Sequence, residues 1–524
     1  MKRINPYISV LLLLAVLSAA GCTKAFEDYN TNPFGPTEEQ MRGDNNNVGS
    51  LIENMTSLLA QGQQNDSQEI DQMIGSEYGG CISCIHPWNN QGNYYTYNPR
   101  QGWIGRTFST MMPQIYTNYN KIKSETSGRG PVYAWASILR VFGTLRISDC
   151  YGPIPYSKVT GQAYTVAYDD METLYKQMFT DLDEAIGILQ RIVTAGEDLS
   201  SIAEFDVVYR GDFNKWVKFA NTLKLRMAVR ISSVEAELAR RMAEDAVSNP
   251  VGVMTEAEDA AWSTKNDGMN PYYRDGYVWN GNGDFSVSAN IVSYLTGYDD
   301  PRLGKLVTES KYNGQRIGVR NGIQQNQASY TKYGTFSKPV FSAEDPLLVM
   351  SASEAWFLRA EGALMFDWDM KGTAAALYRR GVEVSMKERG AALEEGYFRD
   401  DVSPADYEDP SNSGYNANKP SSISTLFSGT DKTADLERIL VQKWIGSFPN
   451  GWEAWADFRR TGYPKFFPVV NNLSTDGVTS DRGMRRLPYP QSEYNTNKAN
   501  VEAAVTMLSG ADKASTDLWW AKKD

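Results

Sequence analysis

Apolar side chains return every three or four positions over long stretches of the chain, the periodicity of helices packed by one face. From 132 to 149 the run VYAWASILRVFGTLRISD aligns Ala134, Ile138, Val141, Phe142 and Leu145, then stops at Cys-Tyr-Gly-Pro, so a helix is expected there. Residues 169–190 repeat the pattern with Leu174, Met178, Leu182, Ala185, Ile186 and Leu189. Asp212 stands where an N-cap belongs, before a stripe of Trp216, Phe219, Ala220, Leu223, Met227 and Ile231. The basic residues of that third helix, Lys215, Lys218, Lys224, Arg226 and Arg230, suit a solvated or acid-paired role better than a ligand site.

Two more helical runs, 351–366 and 373–388, are joined by the short turn Asp367 to Gly372. Ala352, Ala355, Ala360 and Ala363 on the first face Ala374, Tyr378, Gly381 and Val382 on the second. Small residues let two helices approach closely, and the spacing is tetratricopeptide-like. Further helices are expected from about Leu436 to Phe448 and from Gly451 to Arg460. The turn itself, Asp367-x-Asp369-x-Lys371-Gly372, opens like a calcium loop, but Lys371 fills a ligand position and Tyr378 stands where the closing Glu belongs, so it reads as a connection between helices. The expected fold class is mainly α: tetratricopeptide-like helical pairs forming a scaffold, with a long loop-rich face.

That face comes from three stretches near 77–107, 262–345 and 390–432, which hold many of the Gly, Pro, Asn and Tyr residues. Loops of such length are usually functional or disordered, and disorder is poor in aromatics. These are rich in them: PWNNQGNYYTYNPRQGW and PYYRDGYVWNGNGDF. Flat Trp and Tyr faces stack on sugar rings or peptide side chains. Candidate ligand contacts are therefore Trp88, Tyr94, Tyr95, Trp103, Tyr273 and Trp279, with Asn89, Asn90, Asn93 and Arg100 as directional hydrogen-bonding groups.

Composition narrows the chemistry. Aromatics make up 12% of the 524 residues, whereas there is one His and four Cys. A His-dependent triad could use only His86, two-His or three-His zinc sites cannot be built, and the phosphate-loop, nucleophile-elbow and zincin motifs do not occur. No catalytic residue, metal or cofactor is assigned. A carboxylate pair for glycoside hydrolysis has no specific signal among 63 acidic residues. The net charge of -11 excludes nucleic acid as a natural partner. Cys81-x-x-Cys84 suits a local disulfide or two idle thiols, and Cys150 a small buried hydrophobe.

At the start, Lys2 and Arg3 precede an apolar run from Ile8 to Ala20 that is too short to span a bilayer, which takes about 20 residues. The ending Ala19-Ala20-Gly21-Cys22 resembles the lipobox of bacterial lipoproteins, with Ala19 where Leu is usual. Residues 1–21 are expected to be a cleaved signal peptide, Cys22 the acylated anchor (palmitate among its chains), 22–41 an extended tether and 42–524 one helical domain. Several acyl chains anchor stably where one is marginal.

The chain resembles the SusD/RagB family of surface nutrient-binding lipoproteins, particularly its SusD-like second branch. The segments that carry the resemblance are Tyr29-Asn30-Thr31-Asn32-Pro33, Asp149 to Tyr156, Lys215-Trp216 with Phe219-Ala220-Asn221 and Leu223 to Arg230, Asp300-Pro301-Arg302, Arg359 to Ala363, Gln442-Lys443-Trp444, Glu453-Ala454-Trp455, Phe458 to Pro464 and Arg486 to Pro490. The resemblance implies four tetratricopeptide-like pairs, a loop-built ligand face and a place on the outer membrane. It also implies a partner, a SusC-type TonB-dependent transporter over which the lipoprotein sits as a lid, with the helical pairs toward the barrel. The expected function is capture of an oligosaccharide or oligopeptide without altering it. A tetratricopeptide adaptor and a surface glycosidase are the alternatives.

Overall fold

The structure is a computed structural model that describes residues 41, 43, 45–84, 93–161, 163–281, 283–323, 336–411 and 413–521. Signal segment, Cys22 and tether up to residue 40 lie outside the described residues. From Val48 onward the chain forms one compact unit.

Its frame is a succession of helical hairpins. α1 (Arg106–Glu125), α2 (Gly130–Tyr151), α3 (Met171–Ala195), α4 (Phe213–Arg230) and α5 (Ala236–Ser248) pack each on the next. After α6 (Ala289–Gly297), α7 (Ala352–Met365) packs on α4, on α8 (Ala374–Glu388) and on α9 (Lys432–Ser447), which leads into α10 (Trp452–Thr461). The expected helices are all present, to within a few residues at their ends, and polar caps explain their starts. Asp170, Asp212, Thr373 and Asp431 each accept a backbone N–H of the first turn. The segment 367–372 is a connection between helices, as its sequence predicts. α2 is buried on every side from Val132 to Tyr151, so its charged residues must be paired.

Those pairs form a buried ionic chain through the centre of the hairpin stack. Arg226 grips Glu354 with two hydrogen bonds of 2.7 and 2.8 Å; Arg230 lies 2.5 Å from Asp149 and 2.6 Å from Glu453. Lys443 meets Asp457 at 2.9 Å, and Arg460 bridges Asp457 and Glu361 at 3.1 and 2.6 Å. Five helices, α2, α4, α7, α9 and α10, are tied by this one network. Four of the five basic residues of α4 singled out in the sequence are acid-paired, Lys218 with Asp259 and Lys224 with Asp183 and Asp245 included, while Lys215 donates to the Glu258 backbone carbonyl at 2.6 Å. A second buried knot joins Arg302 to Asp300, Ser385 and Gln442, each at 2.7–2.8 Å.

Two small ribbons connect distant parts of the chain. β1 (Ile82–Cys84) pairs antiparallel with β3 (Phe285–Val287), matching Cys84 with Phe285. β2 (Ala261–Ser263) pairs antiparallel with β4 (Leu347–Met350), with a bulge at Ala261/Trp262. Cys81 and Cys84 are buried and no disulfide joins them; burial pushes the Cys81 thiol up to about 12. Cys150 is a buried thiol among apolar neighbours.

Candidate ligand-binding site

The β1–β3 ladder joins the strands that flank two aromatic stretches, although some 200 positions separate them. Because Cys84 faces Phe285, the chain leaving β1 and the chain entering β3 use the same end of the ribbon. Beneath them runs a π-helical segment, Ser67–Ser76. Gln68 donates its amide to Asp284 at 2.8 Å, Gln72 donates to Asp275 at 2.7 Å, and the Ser76 hydroxyl meets the Tyr272 hydroxyl at 2.8 Å. Just before this segment, Asp66 accepts from Arg106 at 2.7 Å, which fixes the start of α1 three positions beyond Trp103. The second aromatic stretch is thus anchored to this floor, and the helix that follows the first is tied at the floor's head.

Local sequence shapes the second stretch. The Asn270 side chain caps the Tyr273 N–H at 3.1 Å, and a wide π-helical turn then runs over Arg274–Val278. Asn280 takes a left-handed conformation (φ 49°), which Asn tolerates better than most residues, and its amide reaches Asp284. At Gly283 the backbone crosses Gly276 so closely that a Cβ would fall 1.9 Å from the Gly276 carbonyl oxygen, and φ is +77°. Only glycine fits there. Residues 317–323 and 336–340 lie alongside: Val319 N–H donates to Val287, Val287 N–H to Ser337, and the Tyr277 hydroxyl to Pro339.

The candidate rings separate by exposure. Trp88 lies outside the described residues, with His86, Asn89 and Asn90. Tyr94 and Tyr95 are buried, at 2% and 6% exposure; Tyr94 packs on Tyr78, and Tyr95 accepts from Asn93 at 3.0 Å. In this structure they support the loop from within. Trp103 is half-buried with the Arg100 guanidinium 4.5 Å from its ring centre. Tyr273 is half-buried and stacks on Tyr277, centroids 5.1 Å apart and planes at 20°. Trp279 is half-buried between Val278, 50% exposed, and exposed Asn280. Tyr277 was not among the sequence candidates, although its i,i+4 spacing from Tyr273 is the spacing at which helical rings meet.

Charge under the face is buried. Burial pushes the Asp275 carboxyl up to about 7, with the Gln72 hydrogen bond opposing and Asp284 adding to the rise. Burial also brings Lys338 down to about 7, opposed by Asp284; its ammonium donates to the Phe285 carbonyl at 2.7 Å. Among the described residues no group of three or more His, Cys, Asp or Glu side chains converges as a metal site. What the face offers is flat rings, amides and backbone polar groups, a set suited to stacking and directional hydrogen bonding.

A stack of helical hairpins carrying an aromatic, loop-built face defines a scaffold for recognition. The family model described as "SusD-like: Susd and RagB outer membrane lipoprotein" matches residues 28–521, and the chain belongs to this family of nutrient-binding outer membrane lipoproteins. It is similar to a SusD-like protein from Bacteroides thetaiotaomicron (38% identity, TM-score 0.86) and to a SusD homolog from Bacteroides uniformis (37%, 0.85). It is also similar to a chitin-binding SusD homolog from Flavobacterium johnsoniae (33%, 0.86). Each comparison covers 91% of this chain and 99% of the other. No curated protein matches. Among the described residues no helix is long and apolar enough to cross a membrane.

Proposed function

We propose that this lipoprotein binds an oligosaccharide on the face built by Trp103, Tyr273 and Trp279, together with Trp88, and passes it unaltered to a SusC-type TonB-dependent transporter. The observation that carries the reading is the anchoring of the second aromatic stretch on the Ser67–Ser76 floor through Gln68 and Gln72, with Asp66, at the head of that floor, holding Arg106 just beyond Trp103 and with Trp279 half-exposed. The chitin-binding relative supports a sugar over a peptide. In this reading Cys22 carries the lipid that holds the protein on the cell surface, and the helical hairpins meet the barrel.

The test is calorimetry of purified protein with a panel of plant, fungal and host oligosaccharides and a matched set of oligopeptides, with chromatography of the sugars afterwards. Trp279→Ala and Trp103→Ala should each weaken sugar binding about tenfold or more, because a buried aromatic contact contributes roughly 1.5–3 kcal/mol. Binding of peptides alone would overturn the sugar reading. Shortened sugars would point to an enzyme, and no small-molecule binding together with protein capture would point to an adaptor. Labelled palmitate should enter the wild-type protein but not Cys22→Ser.

A further inference from the structure

The Trp279 loop is held by two buried amide–carboxyl contacts, and one of them is incomplete in an informative way. Gln72 gives its N–H to one Asp275 oxygen at 2.7 Å. The other Asp275 oxygen and the Gln72 carbonyl oxygen are both buried and both without a partner. Two acceptors cannot bond each other. A single proton on the second Asp275 oxygen supplies the missing donor and turns the contact into a doubly hydrogen-bonded acid–amide pair, which satisfies both atoms.

We propose that Gln72 is a positioning residue for the ligand face, clamping neutral Asp275 so that the loop carrying Tyr273, Tyr277 and Trp279 is held ready to bind, and that losing the Asp275 proton loosens this loop. Ionised Asp275 leaves the Gln72 carbonyl oxygen unpaired and places a buried negative charge near the Asp284 carboxyl, to which Gln68 and Asn280 are tied. Burial sets the Asp275 carboxyl near neutrality, so the clamp works in an accessible pH range. The groups facing Asp275 are Gln72 of the floor, Asp284 at the foot of β3 and Arg274 on its own turn. Lys338, bonded to Phe285, also titrates near 7, so the variant Asp275→Asn rather than a pH profile alone assigns the effect.

The inference rests on the ligand-face reading, and its test separates the two. The full chain is labelled with 5-fluorotryptophan, the Trp279 resonance is assigned with Trp279→Phe, and its fluorine spectrum is followed from pH 5.5 to 8.5. The Trp279 signal should shift or broaden with a midpoint near 7. It should stay in its acid form throughout in Asp275→Asn and in its alkaline form in Gln72→Met, while Gln72→Glu, able to share a proton with Asp275, restores the acid form at low pH. Affinity for a hexamer of β-1,4-linked N-acetylglucosamine should fall by up to about tenfold from pH 6 to 8 in the wild type, as expected when only the protonated fraction binds, and stay flat in Asp275→Asn. A Trp279 signal that does not titrate, or titrates equally in Asp275→Asn, overturns the clamp. If Asp275→Asn does not fold, the wild-type and Gln72→Met spectra still decide. A titrating Trp279 in a protein that binds no sugar of the panel supports the clamp and rejects the sugar reading.

Discussion

Arg230 is 2% exposed and holds two carboxylates at once, Asp149 from α2 and Glu453 from α10, while its guanidinium lies 4.9 Å from the Trp520 ring centre. Glu453 is shared further: Arg226 lies 3.6 Å away and Lys443 4.0 Å. Burial alone would raise the Glu453 carboxyl, yet Arg226, Arg230 and Lys443 together hold it well below the usual carboxylate range. A pair so enclosed contributes little net against an apolar replacement of the same shape, but removing one partner strands the other's charge in the interior. Arg230→Met is therefore expected to cost about 3–5 kcal/mol in urea unfolding, and adding Asp149→Leu should recover part of that loss. The exposed pair Lys498–Glu502, 3.7 Å apart on the surface, should change stability by less than about 1 kcal/mol when broken.

Helix against helix, small residues decide how close two elements come. In the α7–α8 hairpin a Cβ on Gly381 would meet the fully buried Phe357 ring at 2.7 Å, whereas a Cβ on Gly187 in α3 would meet nothing within 4 Å. Alanine favours a helix over glycine by about 1 kcal/mol in both. Gly187→Ala should consequently raise the melting temperature, and Gly381→Ala should lower it, the overpacking costing about 1–3 kcal/mol. This hairpin was legible in the sequence because Gly381 and the alanines around it mark a close contact and Thr373 caps the second helix. α1 was not, since its buried face mixes Phe108, Met111, Ile115, Tyr116, Tyr119 and Ile122 with Thr107, which blurs the aliphatic stripe, and Pro113 on the exposed side reads as a helix breaker. The site was half legible. Aromatic density marked the loops, but the burial of Tyr94 and Tyr95 and the half-exposure of Trp279 follow from the Cys84–Phe285 register and the Gln68 and Gln72 contacts, pairings across some 200 residues that no local pattern encodes.

Over the whole molecule, buried acids of two kinds pull stability in opposite directions with pH. Glu453 and Asp300 are the first kind. Burial would raise both, but their cations hold Glu453 far below and Asp300 below the ordinary value, so their contribution is present above about pH 4 and is lost as pH falls further. Asp275 and Glu388 are the second kind, pushed up to about 7 chiefly by burial, Glu388 despite hydrogen bonds from Ser351 and Ser353. Below about pH 4 the folded and unfolded chains both hold these protons. Between there and 7 the unfolded chain releases protons that the folded one keeps, so rising pH favours unfolding. Glu77, buried and raised for the same reason, adds to this limb. The two limbs place maximal stability near pH 5. Calorimetric melting from pH 3 to 8 should peak there, dropping by several degrees toward 8. The double variant Asp275→Asn with Glu388→Gln keeps the acceptor oxygens but cannot ionise at those two sites, so its curve should fall less steeply from 5 to 8 than the wild type's, Glu77 still contributing, while its acid limb stays unchanged. A wild-type melting temperature higher at pH 8 than at 5 would mean that these acids are ionised in the folded protein, and that the floor of the ligand face is wetter than its packing implies.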